Sequence, residues 1–438
     1  MIIKNTLWMV SEKVIRLIIS VFISAIVARY LGPSEFGRLN YYIAILTIAV
    51  VLSSLGLNRI IVREVVDKIM SRRKRSIIVS TSLYLRLLAS LLIWILLSFF
   101  FYAISSPQDS LNIAIILCSV VFISIDVLDY HQQGLSSFKI ISICRTIGFL
   151  LSALVRIVFV LLDFPLIWFV SAVLIEYAIT AVIIYFICNR EHGPNFISSR
   201  NVYLTKTKEL LIESWPEIIA GFGAILFMRM DQIMLQLMAG PASVGIYSAA
   251  TRISEAWYFV PMAIVAATFP KLIELKKTSN KSYLDGVSML SSLLIYMSLS
   301  MAIFFTLFGS FIINIIYGSQ YADSAGVVIL HTWGAVFLCM GISSGSWLVA
   351  EKKLKLNLYR NLFGLVVNFM LNILLIPIYG VKGAAIATVA GLASAFYIFD
   401  FFIPSLKNMF WLKTKSFLPT QIYKLIVFLL NYNWMNKG

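Results

Sequence analysis

Apolar runs, each about as long as a bilayer is thick, recur along the whole chain. A hydropathy window of about 19 residues picks out twelve of them. In the first half they cover roughly 8–30, 40–57, 76–103, 112–132, 140–162 and 166–188. In the second half they cover roughly 210–230, 246–269, 283–309, 325–350, 357–378 and 383–403. A spanning helix takes about 20 such residues. The pattern therefore predicts an all-α polytopic membrane protein of about twelve transmembrane helices. The longest polar interruption, about Asn189 to Glu209, falls near the middle and carries Gly193-Pro194. It divides the chain into an N-terminal lobe, residues 1–203, and a C-terminal lobe, residues 204–438. A last apolar run, Phe417 to Leu430, is broken by Pro419 and Lys424 and is too short to span comfortably. It reads as a short interfacial segment.

Composition removes the soluble alternatives. The chain is 60% hydrophobic and 13% charged, against about 45–50% and about 25% for a soluble protein. Such a surplus cannot be hidden behind a polar skin, which excludes a soluble enzyme, a secreted disulfide scaffold and a disordered chain. A net charge of +16 raises the question of nucleic acid, and the placement of the charges answers it. With the N-terminus in the cytoplasm, 25 loop lysines and arginines fall on the cytoplasmic side, and Arg38 and Lys382 alone on the other. That asymmetry is the positive-inside rule. It places both termini in the cytoplasm and leaves no need for a nucleic-acid partner. The basic cluster Arg72 to Arg75 suits anionic lipid headgroups. No A-x-A-like cleavage site follows the first apolar run, so it reads as a retained helix.

The cysteines, Cys118, Cys144, Cys188 and Cys339, lie in apolar runs without C-x-x-C spacing, and His131, His192 and His331 are scattered. They predict no metal site and no cofactor. There is no G-x-x-x-x-G-K-[ST] loop, so the chain itself is not expected to consume ATP.

An internal echo supports two related halves. Gly32-Pro33-Ser34-Glu35-Phe36-Gly37 follows span 1, and Gly240-Pro241-Ala242-Ser243-Val244-Gly245 follows span 7, 208 residues later. Six spans per half is an even number. The two lobes would then be related by an axis along the membrane normal, an arrangement suited to alternating access.

Three stretches resemble the polysaccharide-transporter branch of the multidrug/oligosaccharidyl-lipid/polysaccharide exporter superfamily. The first runs from Ile26 to Leu46 and contains Ala28-Arg29-Tyr30-Leu31-Gly32-Pro33. The second is Arg229-Met230-Asp231-Gln232 followed by Gly245 to Glu255. The third is Ile376-Pro377-Ile378-Tyr379-Gly380 with Gly383 to Thr388. The resemblance implies a flippase of the bacterial inner membrane, of O-antigen or capsule type. It would carry an undecaprenyl-diphosphate-linked oligosaccharide repeat unit from the cytoplasmic to the periplasmic leaflet. Other glycan-assembly membrane proteins are its candidate partners.

Ionisable residues within the spans are the candidate site. Arg145 and Arg156 lie eleven residues apart on span 5, about 20° beyond three full turns and about 16 Å apart along the axis. Ser142, Gly148 and Ser152 share their line. A cationic stripe facing lipid is costly, so it should face a cavity or a neighbouring helix. Guanidinium forks suit a diphosphate. Arg86 and Arg252 are further candidate cations of a substrate cavity. Asp126 and Asp129, three apart on span 4, are either a proton-coupling pair or ion-pair partners for Arg145 or Arg156. Glu213 and Glu217 flank Trp215-Pro216 at the start of span 7 and form a second candidate coupling site. Arg252 and Glu255 are spaced to pair within span 8. Lys13, Arg16, Arg29, Arg229 and Arg360 lie close enough to span ends to snorkel.

Two other functions compete. A multidrug or toxin exporter of the same superfamily would favour an acidic cavity. A membrane glycan polymerase or ligase would need catalytic groups in a sizeable outside loop, and the outside loops are short. No catalytic residue is assigned, and the expectation is a transporter rather than an enzyme.

Overall fold

The computed structural model describes residues 2–66, 71–135, 138–193 and 196–418. Every described element is helical. In order, the principal helices are α1 (Ile2–Ser53), α2 (Leu57–Val65), α3 (Arg72–Ile104), α4 (Pro107–Ile123), α5 (Asp126–Gly134), α6 (Phe138–Leu161) and α7 (Leu166–His192). They continue as α8 (Leu204–Ala239), α9 (Pro241–Ser254), α10 (Phe259–Thr278), α11 (Asn280–Tyr317), α12 (Ser324–Ala350) and α13 (Leu354–Ala393). A π-helical turn, Ser394–Ile398, then leads to α14 (Phe399–Phe402) and α15 (Lys407–Lys415). The proposed interfacial segment Phe417 to Leu430 lies almost wholly outside the described residues.

The side-chain pattern is inverted relative to a water-soluble helix. On α3, Ser82, Arg86 and Ser90 are buried, whereas Leu88, Leu92, Leu96 and Phe99 are more than half exposed. Polar residues inside and apolar residues outside fit a surrounding of lipid, where burying an apolar face against protein gains nothing over hydrocarbon. Among the described residues, ten helical stretches are long and apolar enough to cross a membrane. Two of them, Arg16–Ser53 and Leu354–Phe402, are interrupted at glycines with positive φ, Gly32 (φ 70°) and Gly380 (φ 54°). These are the places where the sequence predicts loops between spans.

The echo between the halves is also conformational. Gly32 has φ 70°, ψ 172° and Gly240 has φ 82°, ψ 174°, a region that is essentially closed to residues with a Cβ. Each is followed by a proline that begins a new helical run, where its missing N–H costs nothing.

Three expectations change. The polar stretch after span 2 contains a helix, α2, whose Leu57, Ile60, Ile61 and Val65 are buried while Arg59 stays outside. Their i, i+3, i+4 spacing is that of an amphipathic surface helix. Span 4 runs on through the aspartates as one stretch, Pro107–Gly134, but a turn at Ser124 and Ile125 breaks it into α4 and α5, which begins at Asp126. Span 8 is likewise interrupted between Ser254 and Phe259.

The chain divides into two compact units, residues 1–229 and 230–438, with the division inside α8. The first has an apolar core that includes Leu57, Ile61, Val79, Val127, Leu128 and Ile184. The second centres on Trp257, Leu290, Leu294, Ala335, Cys339 and Leu348. In the second unit, fully buried Lys413 docks α15 by donating to Phe396 O at 2.6 Å and Asp400 Oδ2 at 2.7 Å. Burial lowers the Lys413 pKa to about 8.

Candidate substrate and coupling sites

The serine-glycine-arginine line of α6 faces α7. Ser152 donates to Ala172 O at 3.1 Å, and a Cβ on Gly148 would lie 2.1 Å from Thr180 Oγ1. This close approach brings Arg156 to Glu176, with Nη2 3.0 Å from Oε2. The other oxygen of Glu176 takes Arg16 from α1 at 3.4 Å. Arg16 also lies over the Phe149 ring, 5.1 Å from its centroid. One nearly buried carboxylate thus serves two guanidiniums, and the group carries a formal charge of +1. The side chains of Arg16 and Arg156 remain 34% and 20% exposed. Each guanidinium has five N–H donors, more than Glu176 can accept.

Arg145 belongs to a second group. It pairs with Asp126 at 3.5 Å and also with Asp129. Gln133 donates to Asp129 Oδ1 at 3.1 Å. Arg86 is buried beside them and donates to Asn58 Oδ1 at 3.2 Å. Two arginines and two aspartates make this group formally neutral. Arg145 and Arg156 are therefore both engaged with neighbouring helices, in separate clusters.

Glu213 pairs with Arg63, and Glu217 pairs with Arg59 at 3.4 Å. These acids tie the start of α8 to the exposed side of α2. Gly56 packs under the same contact, where a Cβ would lie 2.7 Å from Ser214 O. Outside the spanning helices, Arg63 is held in its charged form above the ordinary arginine range, chiefly by its hydrogen bond to Glu213. Arg252 lies half-buried in the last turn of α9, in the second unit. Arg360 is not a snorkelling side chain. It is buried, donates to Ser344 Oγ at 2.8 Å and Gly341 O at 3.0 Å, and lies 5.0 Å from the Phe396 ring centroid.

Two further groups carry no signature in the span pattern. Glu176 is the one acid in the apolar run 166–188. Asp231 sat at the edge of span 7, but α8 continues to Ala239 and places it well inside the helix. Asp231 is 3% exposed. Its Oδ1 accepts from Asn372 at 2.7 Å and Asn368 at 3.2 Å. Its Oδ2 accepts from Tyr247 at 2.5 Å and from Thr388. Among the described residues no lysine, arginine or histidine forms an ion pair with it. Asn372 Oδ1, on a side chain that donates to Asp231, has no donor of its own. A buried carboxylate with no counter-charge and one spare amide oxygen beside it is a place where a proton or small cation would be stabilised. Among the described residues there is no His/Cys/Asp/Glu group of the kind that holds a transition metal.

Residues 2–276 match the family described as polysaccharide biosynthesis protein. The chain is 21% identical over 389 residues to the capsular polysaccharide biosynthesis protein CapF of Staphylococcus aureus, covering 88% of this chain and 94% of CapF. It is 24% identical over 400 residues to a putative O-antigen transporter of Shigella flexneri, covering 88% and 94%. Among solved structures, the lipid II flippase MurJ in its inward closed conformation superposes with a TM-score of 0.71 at 17% identity, covering 98% of this chain and 93% of MurJ. That likeness carries the fold.

Proposed function

The chain belongs to the polysaccharide biosynthesis protein family, and from that premise we propose that it flips a lipid-linked oligosaccharide across a membrane. Its cargo is an oligosaccharide repeat unit on an undecaprenyl-diphosphate carrier, moved from the cytoplasmic to the periplasmic leaflet of the inner membrane. Twelve crossings, with both termini in the cytoplasm, satisfy the charge asymmetry of the loops. Lobes built from residues 1–203 and 204–438 alternate access to the cargo. The chain acts as a transporter, not as an enzyme.

One observation carries this reading: within the membrane, Glu176 is shared by Arg16 and Arg156. The unbalanced guanidinium charge is a station for a diphosphate, which accepts paired N–H donors from arginine forks. Arg145, with Asp126 and Asp129, and Arg86 lie in the same unit and form a neutral group that cargo phosphate can unbalance. Arg252 lies in the other unit and serves the second half of the cycle. A cationic drug would be repelled by the Arg16–Arg156 group, which disfavours the exporter alternative.

Energy enters through Asp231. A proton or sodium ion that travels as co-substrate would neutralise this carboxylate, using Asn372 Oδ1, Asn368 Oδ1 and Thr388 Oγ1 as further ligands in the sodium case. Glu213 and Glu217, bound to α2, would latch the two helices in one state. The test of the flippase reading is deletion of the gene. Complete lipid-linked repeat units should accumulate while surface glycan is lost.

A further inference from the structure

The first unit contains a cavity of mixed polar and apolar lining, at the opposite end of α3 from Arg72–Arg75. It has a volume of about 550 Å³ and is built where α1 breaks at Gly32 and where α3 turns into α4 and α6 into α7. That size is typical of small-molecule sites. Glu35, Arg38, Gln108 and Asn112 line it beside Tyr30 and Phe164. The Tyr30 hydroxyl donates to the backbone carbonyl of Phe164 at 3.0 Å and so ties the Tyr30 ring to the α6–α7 turn. Arg38 is held between Glu35 at 3.6 Å and Asp109 at 3.7 Å. Asn112 is 2% exposed, and its Oδ1 has no donor.

We propose that this cavity is a carbohydrate subsite for one or two neutral sugar rings. Hydroxyl groups both donate and accept, as a mixed carboxamide, carboxylate and guanidinium lining requires. A buried acceptor without a donor is costly until a ligand supplies one, and a sugar hydroxyl can do so at Asn112. The apolar faces of Tyr30 and Phe164 suit the C–H face of a pyranose. Glu35, Arg38 and its partner Asp109 sum to a formal charge of −1, which disfavours a uronate and distinguishes this cavity from the cationic Arg16–Arg156 station.

The inference deepens the flippase reading. Leu166 borders the cavity, and Glu176 lies ten residues further along α7, about 15 Å by helical rise. A short oligosaccharide can bridge that distance with its diphosphate at one end and its sugars at the other.

The test is sugar binding by the full chain in lipid nanodiscs, read by saturation-transfer NMR. The probes are maltotriose, triacetylchitotriose and trigalacturonate. Transfer to at least one neutral trisaccharide is expected, and none to trigalacturonate. Asn112→Leu and, separately, Gln108→Leu should weaken binding of that trisaccharide, by about tenfold for Asn112→Leu. Unchanged thermal unfolding midpoints would show that both variants fold. Absence of transfer from both neutral probes overturns the proposal, as do equal signals from wild type and both folded variants, or preference for trigalacturonate. The readout needs no flipping, so its failure is separable from that of the flippase reading, which the deletion strain tests.

Discussion

Arg156 and Glu176 meet at 3.0 Å across the contact between α6 and α7, and Glu176 reaches Arg16 through its other oxygen. In this arrangement a carboxylate orients two forks without neutralising them. Arg156→Ala should therefore abolish surface glycan export while the protein stays in the membrane. Arg156→Lys should restore only part of it, because lysine keeps the charge and loses the bidentate geometry. Glycan quantification on cells with matched membrane levels checks this. Normal export by an Arg145→Ala/Arg156→Ala double variant would remove these arginines from the cargo path.

Asp231→Asn preserves shape and removes the charge that a co-transported cation needs. Flipping in vesicles should lose its response to an imposed sodium or proton gradient, with little change in protein level. A variant that keeps the wild-type gradient response would move coupling away from this cluster.

Gly240 offers a test of the repeat at the level of backbone conformation. A Cβ there would meet nothing within 4 Å, so Gly240→Ala adds strain from φ and ψ alone, about 1–3 kcal/mol. The thermal midpoint in detergent should fall for this variant and for Gly32→Ala. An unchanged midpoint for both would show that these positive-φ breaks are not needed.

Orientation in the membrane follows from the charge asymmetry of the loops. In a cysteine-free background, a cysteine at Gln108 should react with an impermeant maleimide added outside intact spheroplasts. One at Lys74 should react only after the membrane is opened. The reverse labelling pattern would invert the proposed orientation.

Much of this was legible from hydropathy and charge alone, because a bilayer imposes length and sidedness on every span. The arginine line on α6 was legible too, since helical periodicity fixes which residues share a side. Its partner was harder to see. Glu176 becomes significant only when Gly148 lets α7 approach, and that is a tertiary fact. Asp231 was hidden by a boundary: polar residues at the end of span 7 looked like a loop, yet α8 runs on to Ala239. Asn368, Asn372 and Thr388 lie more than 130 residues away in the chain. Their convergence on one carboxylate has no local signature. α2 could have been read from the spacing of Leu57, Ile60, Ile61 and Val65, but a window tuned to spans is blind to nine-residue helices.

Movement of a lipid-linked oligosaccharide leaves a chemical trace when it stops. Mass spectrometry of lipids from cells lacking the gene tests it most directly, with surface glycan scored in parallel. Complete undecaprenyl-diphosphate repeat units should accumulate and surface polymer should be lost, both reversed by the wild-type gene and not by Arg156→Ala. Normal lipid intermediates with intact surface glycan would contradict flipping by this chain.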